Sequence, residues 1–70
     1  MLRRAEYRRE KILEHLQTKS KPTSARELAK ELGFGFSSRD VGRQLAILEA
    51  EGRAKKAFVT YDGALWEVAE

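Results

Sequence analysis

Arg39 and Arg43 stand four residues apart, so a helix through them sets both guanidinium groups on one side, one turn apart. A guanidinium holds its N–H donors in a rigid fork that meets a phosphate or a purine edge with two bonds at once. Gln44 adds an amide that donates and accepts. Ser37 and Ser38 come before this group with hydroxyls, and Lys55 and Lys56 follow it with ammonium groups. The set suits the grip of a large anion, and it contains no reacting group. His15 is the only histidine and cysteine is absent, so neither a metal cage nor a nucleophile–base pair has much to build on. Gly33-Phe34-Gly35 is too short for a phosphate-cradling loop and comes after a helix. No enzymatic activity, cofactor, metal or small-molecule substrate is expected.

The element that must position these side chains is a helix whose start and stop are both written in the sequence. Ser37 and Asp40 have the spacing of a capping box, with the serine oxygen on the Asp40 N–H and the Asp40 carboxylate reaching back to Ser37. Phe36 before the cap and Val41 in the first turn are placed as a hydrophobic staple. Gly52 can take the left-handed conformation that closes a helix. Val41, Leu45 and Leu48 share one face and should enter a core. The other face carries Arg39 and Arg43 beside Gly42, Ala46 and Ala50, cationic and low in bulk. An exposed Gly42 in mid-helix would cost roughly 1 kcal/mol relative to Ala, which argues for close approach of something at that face.

The rest of the chain supplies the support. Seventy residues predict one small domain over 1–70. At that size nearly every apolar residue should be structural. No run approaches a membrane span and no secretory signal is legible, so a soluble, cytoplasmic protein is expected. The formal net charge of +3 permits an acidic partner without requiring one. A charged fraction of 36%, with neither Asn nor Cys, leans towards a thermophilic source.

Periodicity predicts helices over about 3–18, 24–32 and 37–51, then a hairpin over about 55–68. In the first helix Ala5, Ile12 and Leu16, with Leu13, form the core stripe, and Arg4, Arg8, Lys11 and His15 form a second stripe. That second stripe fits either a phosphate track or a solvated face paired with Glu14 and its neighbours. Pro22 ends the connection, Thr23 fits a strand of one or two residues, and Ser24 to Glu27 is a second capping box. Ala25, Leu28, Ala29 and Leu32 should be buried, and Gly33 should stop the second helix. Phe34 is expected to plug the core. Asp62-Gly63 is a two-residue hairpin turn signal. A closing pair of Tyr61 and Ala64 would set Val59 opposite Trp66, on a face turned to the helices.

Three helices followed by a hairpin, with a tight turn between the second and third, resemble the winged helix-turn-helix family, an α+β fold. The resemblance covers about Lys11 to Ala69. It rests on Thr-Ser-Ala-Arg-Glu-Leu-Ala-Lys-Glu-Leu-Gly, on Ser-Ser-Arg-Asp-Val-Gly-Arg-Gln-Leu-Ala-Ile-Leu-Glu-Ala-Glu-Gly, and on the final Leu-Trp-Glu-Val-Ala. The chain looks like small bacterial and archaeal transcription regulators. That likeness implies a third helix in the major groove of double-stranded DNA, a hairpin wing on phosphate or the minor groove, and a nucleoid-associated location. Homodimers are common in such families, and Tyr7, off the core stripe, is available for one. Ser37, Ser38, Arg39, Arg43 and Gln44 would then read the duplex, Gln44 pairing with adenine and Ala46 lying against a thymine methyl, while Lys55 and Lys56 hold phosphate.

The order of elements is also similar to the Z-DNA-binding domains of double-stranded-RNA adenosine deaminases. Arg43 and Trp66 match their pattern. Their Asn and Tyr positions are Gly42 and Ala46 here, and Gly63-Ala64 replaces the wing prolines, so most of the chemistry for a zigzag backbone is missing. The main alternative to a DNA-binding protein is a winged-helix module for another protein. It would use the small-residue face of Gly42, Ala46 and Ala50, with Ile47 at its edge.

Overall fold

The first helix, α1 (Arg4–Gln17), buries Ile12, Leu13 and Leu16. The structure, a computed structural model, describes residues 3–61 and 63–69. Ala5, expected in the core stripe, is exposed. It lies about two turns before the first buried apolar residue, Ile12, where α1 meets its neighbours through charged groups instead. Thr18 ends the helix, its hydroxyl donating to the His15 carbonyl at 2.6 Å.

Thr23–Ser24 forms the short strand β1 and leads directly into α2 (Ala25–Leu32). The Ser24 hydroxyl accepts from the Glu27 N–H at 3.1 Å. Leu28 and Ala29 are buried, with Ala25 and Leu32 partly covered against the same core. Gly33 closes α2 at φ 83°, a value that side chains with a Cβ rarely adopt.

Helix α3 (Ser38–Ala50) starts as expected, with the Ser37 hydroxyl accepting from the Asp40 N–H at 3.1 Å. The return arm of that box is replaced: the Asp40 carboxylate takes Arg8 of α1, at 3.3 Å. Val41, Leu45 and Leu48 are fully buried, and Phe36 packs partly against them. At the far end the Arg53 N–H bonds the Leu48 carbonyl and the Gly52 N–H bonds the Glu49 carbonyl, with Gly52 at φ 75°. This is the Schellman closure, and it turns the chain sharply into the sheet.

Strands β2 (Ala54–Thr60) and β3 (Gly63–Val68) complete an antiparallel sheet of order β1-β3-β2. The hairpin register differs from expectation by a slip and a bulge. Thr60 pairs with Gly63 and Val59 with Ala64, so Tyr61 belongs to the loop and does not close it. The Thr60 hydroxyl donates to the Gly63 carbonyl at 2.9 Å and reinforces this pair. Asp62, the first residue of the expected turn, lies outside the described residues.

Between Lys56 and Phe58 the ladder shifts at Ala57, and beyond that bulge Trp66 faces Lys56. Pairing Val59 with Ala64 in place of Trp66 is a shift of two residues, so Val59 keeps the Trp66 face, but it and Tyr61, both assigned to the inner face, are exposed towards the hairpin tip. At the base of the hairpin Ala54 and Trp66 are buried. Trp66 shares one core with Ile12, Leu16, Leu28, Val41, Leu45 and Leu48. The layout, three helices on a three-stranded antiparallel sheet, is a small α+β domain compatible with a winged-helix arrangement.

Candidate nucleic-acid interface

Because Val41, Leu45 and Leu48 turn one face of α3 inward, Ser38, Arg39, Arg43 and Ala46 are left on its solvent side, with the cap Ser37 exposed just ahead of them. Neither Arg39 nor Arg43 has an acidic partner among the described residues. The four expected contacts Ser37, Ser38, Arg39 and Arg43 therefore share a free surface.

Gln44 does not share it. Its side chain is buried, at 5% exposure, and its Oε1 accepts from the Arg9 Nε at 2.9 Å. The expected base contact is corrected by helical geometry. Position 44 lies next to the buried Leu45 and faces α1, and a buried amide needs a partner from within the fold. Gly42 also has an internal role. It is partly covered by α2, and a Cβ built there would stand 3.9 Å from the Ala25 Cβ. The small residue at 42 thus marks the crossing of α2 over α3.

Two of the three arginines of α1 are directed at α3 and its cap. Arg8 reaches Asp40 at 3.3 Å and Arg9 reaches Glu51 at 3.6 Å. Glu10 takes both arms of Arg53, at 2.7 and 2.9 Å. This last pair is bidentate, and the hydrogen bonds from Arg53 hold the Glu10 carboxyl below its usual range, as Glu10 holds Arg53 above its own. Three successive residues thus grip α3 at its first turn, its middle and its exit.

The rest of the second α1 stripe is paired in the same way. Lys11 lies 3.9 Å from Glu14 and 5.5 Å from the centre of the Tyr7 ring. His15 Nε2 is 2.7 Å from Glu31, which Lys19 also contacts. Hydrogen bonds from Lys19 and then His15 lower the Glu31 pKa. Of the two readings of this stripe, the solvated and paired face matches the observed contacts, Arg4 alone having no acidic partner among the described residues.

Lys55 and Lys56 lie at the base of the hairpin, away from its tip. Lys55 is 3.9 Å from its cross-strand neighbour Glu67. Lys56 is 4.0 Å from Glu49 and sits over the Trp66 ring at 5.5 Å. Pairs this long and exposed are weak, so both ammonium groups remain open to competition from another anion.

Two further cations, not singled out from the sequence, are like Arg39 and Arg43 in lacking an acidic partner among the described residues. Arg26 and Lys30 are exposed, one turn apart on α2, with no acidic partner among the described residues. The signal was present: both fall outside the buried stripe of Ala25, Leu28, Ala29 and Leu32, at i and i+4. Arg26 directly follows Ala25, the residue that meets Gly42.

The expected core plug is also corrected. Phe34 is fully exposed, at 105%, and Phe36 takes the place against the core instead. Gly33 and Gly35 flank Phe34 with φ of 83° and 90°, and the Phe36 N–H bonds the Gly33 carbonyl at 3.1 Å. A turn with a left-handed glycine at its third position carries its second residue outward.

Among the described residues no group of three or more His, Asp or Glu side chains is gathered as a metal site, and no helix is long and apolar enough to cross a membrane. In comparison with known proteins the chain matches no protein-family model and no curated relative.

Proposed function

We propose that the chain is a double-stranded DNA-binding protein acting as a transcription regulator, in a winged helix-turn-helix arrangement with α3 in the major groove. The observation that carries this reading is how the cations divide. Arg8, Arg9 and Lys11 of α1 and the lysines of the hairpin base have acidic partners within the chain, while Arg26, Lys30, Arg39 and Arg43 on α2 and α3 have none among the described residues, nor do Arg3 and Arg4 at the start of α1 or Lys21. Free guanidinium groups on an exposed helix suit guanine edges, and free cations on its neighbour suit the phosphates beside that groove. Ser37 and Ser38 add donors at the helix start, where exposed N–H groups also favour phosphate. Lys55 and Lys56 are secondary phosphate contacts that must first release Glu67 and Glu49. A cytoplasmic, nucleoid-associated location goes with this reading, and Tyr7, 52% exposed on α1, is open to a second copy.

The alternative, a module that binds another protein, is favoured by the exposed Phe58 and Val59 on β2. Salt separates the two readings. In a mobility-shift assay on random and A/T-rich duplexes, affinity should fall steeply between about 50 and 200 mM salt. Binding to no duplex at the lower salt would reject DNA and leave the protein partner.

A further inference from the structure

Phe34 has no role in the fold, yet the turn that holds it out is well defined. Gly33 and Gly35 adopt backbone angles of φ 83° and 90°, and the Gly33 carbonyl closes on the Phe36 N–H. Phe36 already fills the place against the core, so Phe34 cannot serve there without displacing it. The result is a phenyl ring at 105% exposure, three residues before the Ser37 cap and five before the unpaired Arg39. It stands on the approach to the end of α3 that carries Ser37, Ser38 and Arg39.

We infer that Phe34 is a specificity-determining contact that reads a thymine methyl at the edge of the duplex site. The inference rests on the DNA-binding reading and adds to it a base preference outside α3. A major groove is lined by polar edges, and its one apolar feature is the thymine 5-methyl group. An uncharged ring beside a cationic surface gains nothing from phosphate, so contact with that methyl is what a duplex can offer it.

The test uses the tightest duplex recovered from a random library, with each thymine replaced in turn by uracil, which removes only the methyl. The parent should lose about fourfold in affinity at one position or two adjacent ones, the worth of one buried methyl-sized group. Phe34→Ala should bind the thymine duplex more weakly and lose its sensitivity at that same position. Phe34→Leu should keep part of it. Because Phe34 lies outside the core, the melting temperature and the salt slope should match the parent in both variants. An unchanged thymine-to-uracil ratio in Phe34→Ala overturns the inference and assigns Phe34 to a protein contact, with the DNA reading intact. A parent that binds no duplex overturns both.

Discussion

Arg8 and Arg9 of α1 reach across to Asp40, Gln44 and Glu51, whereas Arg26, Lys30, Arg39 and Arg43 of α2 and α3 have no acidic partner among the described residues. By composition the two groups look alike, and α1 even carries the denser run of positive charge. What separates them is the distribution of acids. Asp40, Glu49 and Glu51 of α3 and its cap, with Glu10 and Glu31, stand where α1, Arg53 and the hairpin base come within reach. A cation held by a neighbouring carboxylate steadies the fold, and one left in solvent is available to an outside anion. Net charge alone therefore says little about where a partner binds.

The largest effect is expected from removing what supports both regions. Trp66 shares one core with residues of all three helices, and Trp66→Ala should cost about 3–5 kcal/mol by chemical denaturation, enough to unfold much of so small a domain. A native fluorescence spectrum typical of a fully hydrated indole would contradict its burial.

Next comes the middle of the α1 grip. Gln44→Ala leaves the Arg9 Nε without its partner at a partly buried site, so stability should fall by about 1–3 kcal/mol. Arg43→Ala should do the opposite: the melting temperature holds, while binding to a preferred duplex weakens by about 1–3 kcal/mol and the preference between duplexes flattens. If Gln44→Ala changed base preference at unchanged stability, the division between the two regions would fail.

A smaller effect of opposite sign is expected at Gly42. A methyl there meets Ala25 at an ordinary contact distance, 3.9 Å, and a helical Ala is favoured over Gly. Gly42→Ala should raise stability, by up to about 1 kcal/mol. A decrease would mean that α2 and α3 approach more tightly than their separation indicates.

The smallest effect is in acid. The Glu10 and Glu31 carboxyls titrate below their unfolded values, held by Arg53 and by Lys19 with His15. Their contributions are therefore complete above the unfolded carboxylate range and fade as pH falls through about 4 and below. Both sites are open to water, so the change should be modest. Glu10→Gln should lower the melting temperature slightly at pH 7, and the difference from the parent should vanish near pH 2. A difference that persisted there would not come from the charge of Glu10.

Much of the fold was legible because the signals were local. Ser24 and Ser37 cap as their spacing implies, Gly33 and Gly52 close their helices, and Val41, Leu45, Leu48 and Trp66 are buried at the expected period. The failures come from choices made between elements. Tyr61 was expected in the closing pair and Val59 opposite Trp66, because no alternation pattern reports a loop shifted by one residue or a bulge at Ala57. Phe34 and Phe36 flank Gly35 with equal hydrophobicity, and only the turn decides which faces in. Near the candidate site, the exposure of Arg39 and Arg43 was readable from their shared helical face. The burial of Gln44 was not, because its partner Arg9 lies on another helix.

The division of charge is tested most directly by the salt dependence of duplex binding in two variants of the chain. One removes Arg26, Lys30, Arg39 and Arg43 as alanines, and the other replaces Arg8 and Lys11 in the same way. All these side chains lie outside the apolar core, so both variants should fold. In the parent, log K should fall linearly with log salt concentration. In the α2–α3 variant the slope should flatten by roughly one unit for each phosphate the protein no longer neutralises, and in the α1 variant it should match the parent. Equal flattening in both, or a parent slope near zero, would contradict the account.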